Sequence, residues 1–369
     1  MTAVKKPSLF VDVHIIQDVP PANLNRDDSG SPKTARYGGV DRLRVSSQAW
    51  KRATRKAFTQ VLDQSQLGVR TRRMPGALAA ALTQRGMDPE QAPAVANALL
   101  TQIKLTASQK KAEEGAYLFF YATSQLEALA EAALEHAELA GTPDELAKAV
   151  NVADILGSKH SLDVALFGRM VADMTNLNVD AACQVAHALS THAAGTQFDY
   201  FTAVDDLQGS DEAGAGMIGT IEYNSATLYR YASINVDALV ANMADEEAAI
   251  EGVSAFVEAF ATSMPTGKQN TFAAHTRPAL VWVTLRHDQV NWASAFEEPV
   301  KASGHGYVSA SLDRLASFAG DETKRWGDVP IASLASYTGE QRDTFGDQLG
   351  FREIITQLPE QIRQARVDD

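Results

Sequence analysis

The sequence predicts an α+β protein whose core carries two insertions. Three observations lead there. An alternating apolar segment near the N-terminus is followed by a basic amphipathic helix. An Ala-, Leu- and Glu-rich block covers about 75–160 with helical spacing and almost no strand signal. A tyrosine-flanked stretch over 197–236 holds a glycine-rich centre.

Taken in order, 8–19 reads as a strand. Leu9, Val11, Val13 and Ile15 share one face; Phe10, Asp12, His14 and Ile16 share the other. Pro20-Pro21 ends it. Segment 23–39 lacks periodicity and is rich in Asn, Asp, Ser, Gly and Pro, which predicts a long loop. Gly38-Gly39 within it reads as a turn or a close backbone approach. Residues 42–45 predict a short strand. Ser46 or Ser47 then caps a helix to about Leu62. Trp50, Ala53, Ala57 and Val61 form its apolar stripe, and Lys51, Arg52, Arg55 and Lys56 fall on another face.

Residues 180–194 predict a further helix, which would carry the single cysteine, Cys183, as a small packed residue. On that helix His187 and His192 lie on different faces. Residues 197–236 predict a long hairpin with a pliable tip over 209–219. A helix is expected over 246–264, a buried strand over 279–285, and helices near 309–319 and 352–365. No internal repeat is visible.

The bulk numbers bound the function. The chain has 369 residues, 45% of them hydrophobic, and one cysteine. One cysteine excludes an internal disulfide and any multi-cysteine metal site. No apolar run is long enough for a membrane span, and the N-terminus lacks the apolar core of a signal peptide, so the protein is expected in the cytoplasm. The net charge of −13 argues against nucleic acid, but its distribution does not. Between Lys33 and Lys56 stand Lys33, Arg36, Arg42, Arg44, Lys51, Arg52, Arg55 and Lys56, against one acid, Asp41. Surface charges are screened beyond about 8 Å at physiological salt, so a local basic site works inside an acidic chain.

The ordinary reading of this segment is a solvated helix face. The sharper reading is a phosphate cradle. Ser46, Ser47 and Gln48 open the helix, where free N–H groups and hydroxyls bind phosphate oxygens, and Arg and Lys supply charge around them. Asp27-Asp28 and Asp205-Asp206 are adjacent carboxylates, but no metal or Walker motif surrounds them, and loop aspartates are usually turn formers. Met170, in Gly168-Arg169-Met170, ordinarily fills a core; the alternative is an apolar wedge beside a cation. The hairpin tip is either a surface loop or an arm that reaches a neighbouring molecule.

These pieces resemble a known family. Residues 23–28 (NLNRDD), Tyr37-Gly38-Gly39, 42–56 (RLRVSSQAWKRATRK), 163–170 (DVALFGRM), 198–208 with Tyr200, 229–232 (YRYA) and Gly267-Lys268-Gln269 are similar, in order over nearly the whole chain, to the Cascade backbone subunit (CasC) of type I-E CRISPR systems. The resemblance implies a hand. A ferredoxin-like, RRM-like palm takes 1–62, a palm helix at 181–196, and 229–369. Helical fingers take 63–180 and a β-hairpin thumb takes 197–228. It further implies copies assembled head to tail along a CRISPR RNA, beside other Cascade subunits, with no membrane role. Each thumb kinks the guide and leaves bases free to pair with a target DNA strand; the protein reads backbone, not sequence.

Carried over by matching motif, the guide contacts would be Asn25, Arg26, Lys33, Arg44, Ser46, Gln48, Lys51, Arg52 and Arg55. Arg169 and Met170 would act at the kink, Thr202 and the tip in the thumb, and Lys268 and Gln269 in a palm loop. No catalytic residue, metal or cofactor is implied. The 209–216 tip is longer and richer in glycine than the family pattern. Related type III backbone subunits cut RNA with a loop aspartate, so a metal-dependent nuclease using Asp27, Asp28, Asp205 or Asp206 is the alternative. A helical protein-interaction module is a third.

Overall fold

The computed structural model describes residues 7–105, 107–108, 111–203, 217–302 and 304–368. It is a mixed α+β fold of two compact units. The first comprises Met1–Ala57, Val185–Ser233 and Phe256–Asp369; the second comprises Phe58–Gln184 and Ile234–Ala255.

The first unit opens with β1 (Phe10–Ala22), β2 (Thr34–Tyr37), β3 (Val40–Val45) and most of α1 (Ser47–Val61). β1 is almost wholly buried on both faces, as a central strand must be. It runs through Pro20-Pro21 instead of ending there. The ladder to its neighbour stops at Ile16, so on that side the prolines displace no hydrogen bond. The predicted long loop is also shorter than expected, because 34–45 forms a two-residue hairpin. Gly38 and Gly39 have φ of 58° and 79°, the left-handed pair that a type I′ turn requires. Gly38 is a close approach as well: a Cβ there would lie 1.6 Å from the Glu297 carbonyl oxygen.

The second unit holds β4 (Gly68–Thr71), α2 (Met74–Gln84), α3 (Ala92–Thr101), β5 (Ala107–Ser108), β6 (Lys111–Gly115), β7 (Phe119–Ala122), α4 (Thr123–Leu134), α5 (Pro143–Ala149), α6 (Val152–Leu156) and α7 (Leu162–Phe167). Leu78, Leu82, Val95, Leu99, Leu129 and Leu146 build its core at helical spacings. The block is not purely helical: β4 pairs with β7, and β5 with β6. These short strands are set by pairing partners, which local composition does not announce.

The expected helix over 180–194 is absent. Its place is taken by β8 (Cys183–Val185) and β9 (Ala188–Ser190). Alanine-rich local preference loses to pairing, since β9 joins β3 on one side and the long strand β11 on the other. Cys183 is a buried thiol on a strand. The hairpin forms as predicted, from β10 (Gln197–Ala203) and β11 (Met217–Asn235), with Gln197 opposite Tyr223 and Ala203 opposite Met217. Residues 204–216, which include Asp205, Asp206 and most of the glycine-rich tip, lie outside the described residues.

The chain closes with α8 (Val236–Met243), α9 (Glu246–Thr262), α10 (Gln269–Phe272), β12 (Leu280–Arg286), α11 (Val308–Trp326), β13 (Ala332–Tyr337) and α12 (Phe351–Asp368). The main sheet runs β13-β12-β1-β11-β9-β3-β2, with β8 and β10 also on β11. The β1–β12, β12–β13, β11–β9, β3–β9 and β2–β3 ladders are antiparallel. One face carries Tyr229, Tyr231, Trp282 and Leu280 against Leu312, Leu315 and Phe345. Arg230 alternates to the opposite face, where it meets Trp50 and Phe260.

Candidate nucleic-acid interface

The basic helix α1 is amphipathic in the way its spacing requires. Trp50 and Thr54 are fully buried and Ala53 nearly so, while Gln48, Arg52 and Lys56 are exposed and Lys51 and Arg55 half-buried. The predicted cap is present but shared. Ser46 Oγ accepts from the Ala49 N–H at 3.4 Å, and the Ser46 N–H itself donates to Asn25 Oδ1 at 2.9 Å. Asn25 is thereby fixed at the helix start.

The loop before β2 folds onto the same point. The Lys33 N–H donates to the Asn25 carbonyl, and the Arg44 N–H donates to the Lys33 carbonyl, both at 2.9 Å. Arg26 bridges to Pro32 and points into solvent. Within the loop, Asp27 Oδ1 accepts from the Ser29 N–H, the Ser29 hydroxyl and the Ser31 N–H at 2.7–3.0 Å. Those bonds, the Ser29 hydroxyl first, hold its carboxyl below the ordinary range. Asp27 is thus built into a turn.

The 267–269 loop abuts the same segment. A Cβ on Gly267 would lie 2.4 Å from the Leu24 carbonyl oxygen. Lys268 sits in the left-handed region at φ 51° and starts α10. Gln269 Nε2 donates to the Pro265 carbonyl at 3.3 Å, and its buried Oε1 has no partner among the described residues. Asn23 Nδ2 donates to the carbonyls of Gly30 and Glu222, so the loop is tied to the base of the hairpin as well. Asn25, Lys33, Arg44 and Ser46 therefore converge on one end of α1, and Lys268 and Gln269 follow a loop that packs on the neighbouring Leu24.

Arg42 does not share in this surface, although the sequence counts it with the basic segment. It is fully buried. Its guanidinium donates to the carbonyls of Tyr37, Ser190, Phe296 and Glu297 at 2.9–3.2 Å. Arg44, two residues on, is half-exposed. It donates from Nε to the Thr34 carbonyl at 3.1 Å and from Nη1 to His187 Nδ1 at 3.0 Å. His187 is absent from the sequence-based set; on the predicted helix it stood only on a different face from His192. No local signal in 181–190 points to it; the β3–β9 ladder does.

On the hairpin, Thr202 is exposed and lies opposite Ile218. Phe198 and Tyr200 share its face and are 65% and 63% exposed. Phe201 turns the other way and covers Gly219, where a Cβ would lie 2.4 Å from the ring.

In the second unit, α7 ends at Gly168, whose φ is 77° and where a Cβ would lie 2.7 Å from the Val179 carbonyl oxygen. The next two residues part ways. Arg169 is buried and donates to the carbonyls of Leu177, Phe120 and Leu156 at 2.7–3.1 Å, with its guanidinium 4.9 Å from the Phe119 centroid. Burial lowers it to about 10. Arg169, expected at the kink, thus has three of its five N–H donors on backbone carbonyls. Met170, which ordinarily would fill a core, is 86% exposed.

Among the described residues no group of three or more His, Cys, Asp or Glu is placed to hold a metal ion. None of the described helices is long and apolar enough to cross a membrane. No curated protein matches the sequence. A chain of a solved "CRISPR RNA-guided surveillance complex, pre-nicking" is similar with a TM-score of 0.82 and 34% identity, over 95% of this chain and 99% of that one. A chain of a second "CRISPR RNA-guided surveillance complex" is similar with a TM-score of 0.73 and 30% identity, over the same shares. The family model described as "CT1975-like protein" matches residues 11–362, so the chain belongs to the family of CT1975-like proteins.

Proposed function

We propose that this chain is a guide-binding backbone subunit of a CRISPR RNA-guided surveillance complex, of the type I-E CasC kind. The observation that carries the reading is the convergence of Asn25, Lys33, Arg44 and Ser46 on the start of α1, with Lys51, Arg52 and Arg55 along the same helix. The site offers hydroxyl, amide and cationic donors and suits a phosphodiester backbone of any sequence. Likeness to chains of two such complexes, at 34% and 30% identity over nearly full length, supports it.

The finer picture belongs to the same proposal. The sheet unit is an RRM-like palm, the helical block the fingers and the β10–β11 hairpin the thumb. Several copies line up head to tail along one CRISPR RNA in the cytoplasm, beside other subunits. They kink the guide at regular intervals and leave bases to pair with target DNA. The subunit is non-catalytic; the built-in turn around Asp27 favours a structural role for that carboxylate over metal binding.

The test is the nucleic acid that accompanies the purified chain. Absorbance at 260 and 280 nm should report bound RNA, and nuclease treatment should leave fragments of regular length. Purified protein free of nucleic acid that fails to bind added single-stranded RNA would reject the reading. Turnover of labelled RNA with Mg²⁺, abolished by Asp27→Ala or Asp205→Ala, would reject the non-catalytic part.

A further inference from the structure

The β3–β9 ladder pairs Arg44 with Leu189 and Val45 with Ala188. His187 directly precedes Ala188, and Ser46, the residue that caps α1, directly follows Val45. Arg44 then donates to His187 Nδ1 at 3.0 Å. A guanidinium has only donors, so the Nδ1 that faces it must be the lone-pair nitrogen, and the ring proton sits on Nε2. His187 is exposed, and that Nε2–H makes no hydrogen bond among the described residues.

The electrostatics agree. Partial burial, then Arg44, then Lys33 lower the imidazole below its ordinary value, and no carboxylate opposes them. Protonation would place a third positive charge beside two others and would break the Arg44 bond. Arg44 itself forms no ion pair among the described residues; its side-chain partners are a carbonyl and a neutral ring. Arg44, Lys33 and an exposed imidazole N–H donor thus lie together.

We infer that His187 is a neutral hydrogen-bond donor to a phosphate oxygen of the bound RNA, set by Arg44 and seated with Lys33 at the start of α1. The inference rests on the guide-binding reading above and adds a residue to it. A neutral donor has a signature that a cation lacks. It strengthens binding without neutralising a phosphate, so it leaves the salt dependence of affinity unchanged.

The experiment uses the full chain freed of nucleic acid and a fluorescein-labelled single-stranded RNA, read by anisotropy across a KCl series. His187→Ala should weaken binding about tenfold, the scale of a lost hydrogen bond to a charged group, with an unchanged slope of log K against log [KCl]. His187→Gln, whose amide nitrogen can donate from the place of Nε2, should recover most of the loss. Arg44→Ala should lower the slope by about 0.7. Wild-type affinity in H187A, or H187Q as weak as H187A, would overturn the inference while leaving guide binding intact. A slope that falls in H187A as in R44A would overturn it too, by making His187 a cation. Failure of the wild-type chain to bind RNA would instead remove the reading on which it rests.

Discussion

The guanidinium carbon of Arg230 lies 3.7 Å from the centroid of the Trp50 ring. This contact clamps the apolar side of the basic helix to the sheet. Arg230 is itself buried; it donates to Gln17 Oε1 at 2.6 Å and to the Phe260 carbonyl, and its guanidinium also lies 4.4 Å from the Phe260 centroid. Burial lowers it to about 9. Planarity is what the site uses, so Arg230→Lys is not conservative. Arg230→Lys should cost about 2 kcal/mol and Trp50→Ala about 4 kcal/mol, read as a lowered urea midpoint. Equal stability of R230K and wild type would show that the flat stacking contributes nothing.

The exposed side of the same helix should behave oppositely. Lys51→Glu with Arg52→Glu reverses two charges, one half-buried and one exposed, on the polar side of α1, so the fold should survive and the circular dichroism should not change. RNA retention should be lost, seen as a fall in the 260 to 280 nm absorbance ratio of the purified protein. RNA retained by the double variant would remove α1 from the binding surface.

Arg169 and Met170 should separate stability from function within two adjacent residues. Arg169→Ala orphans the carbonyls of Leu177, Phe120 and Leu156 and should cost about 3 kcal/mol. Met170→Ala removes an exposed side chain and should change stability by less than about 0.5 kcal/mol. If Met170 wedges against the guide, M170A should still weaken RNA binding; a reversed pattern, with M170A unstable and R169A stable, would contradict the burial described above.

The sheet also holds two buried groups with opposite pH responses. His14 is fully buried, and burial followed by the Arg286 charge lowers it from 6.5 to about 3. Below pH 6.5 the unfolded chain takes up a proton that the folded chain refuses, so stability falls on acidification toward 3, by at most about 1.4 kcal/mol per pH unit. Asp12 is raised from 3.8 to about 6 by burial, which outweighs its hydrogen bonds with Ser233, Val290 and Tyr231. Here the folded chain takes the proton first, so acidification from 6 to 4 adds stability at up to the same rate. Asp12→Asn should therefore lose stability relative to wild type as pH falls from 6 to 4, and His14→Gln should gain it. Denaturation midpoints of both variants at three pH values would check the signs; parallel curves would refute them.

Much of the candidate site was legible beforehand. Ser46 before an amphipathic run, with Trp50 and Ala53 on one side and Arg52 and Lys56 on the other, predicts α1 from local periodicity alone, and α1 is there. Gly38-Gly39 predicts a turn because few other residues adopt two consecutive positive φ angles. The hairpin around 197–236 and the buried strand at 280–286 follow from alternation and from β-branched and aromatic content. Residues 180–194 mislead for a physical reason. Their alanines favour a helix by a few tenths of a kcal/mol each, and pairing with β3 and β11 outweighs that preference.

The chain's own chemistry thus determined which cations gather near one helix start and that this helix has a wet and a dry side, because both follow from spacing within about a dozen residues. Which of those cations stays available was decided only by tertiary structure. Arg42 and Arg44 have the same strand parity and nearly the same neighbours in sequence. The 296–297 segment, more than 250 residues away, covers Arg42 with carbonyls, whereas Arg44 meets a histidine from β9's edge and stays half-exposed. The same division separates Arg169, whose donors are satisfied by three distant carbonyls, from Met170, which is left in solvent. Burial is a property of what arrives from elsewhere in the chain, and no local pattern encodes it.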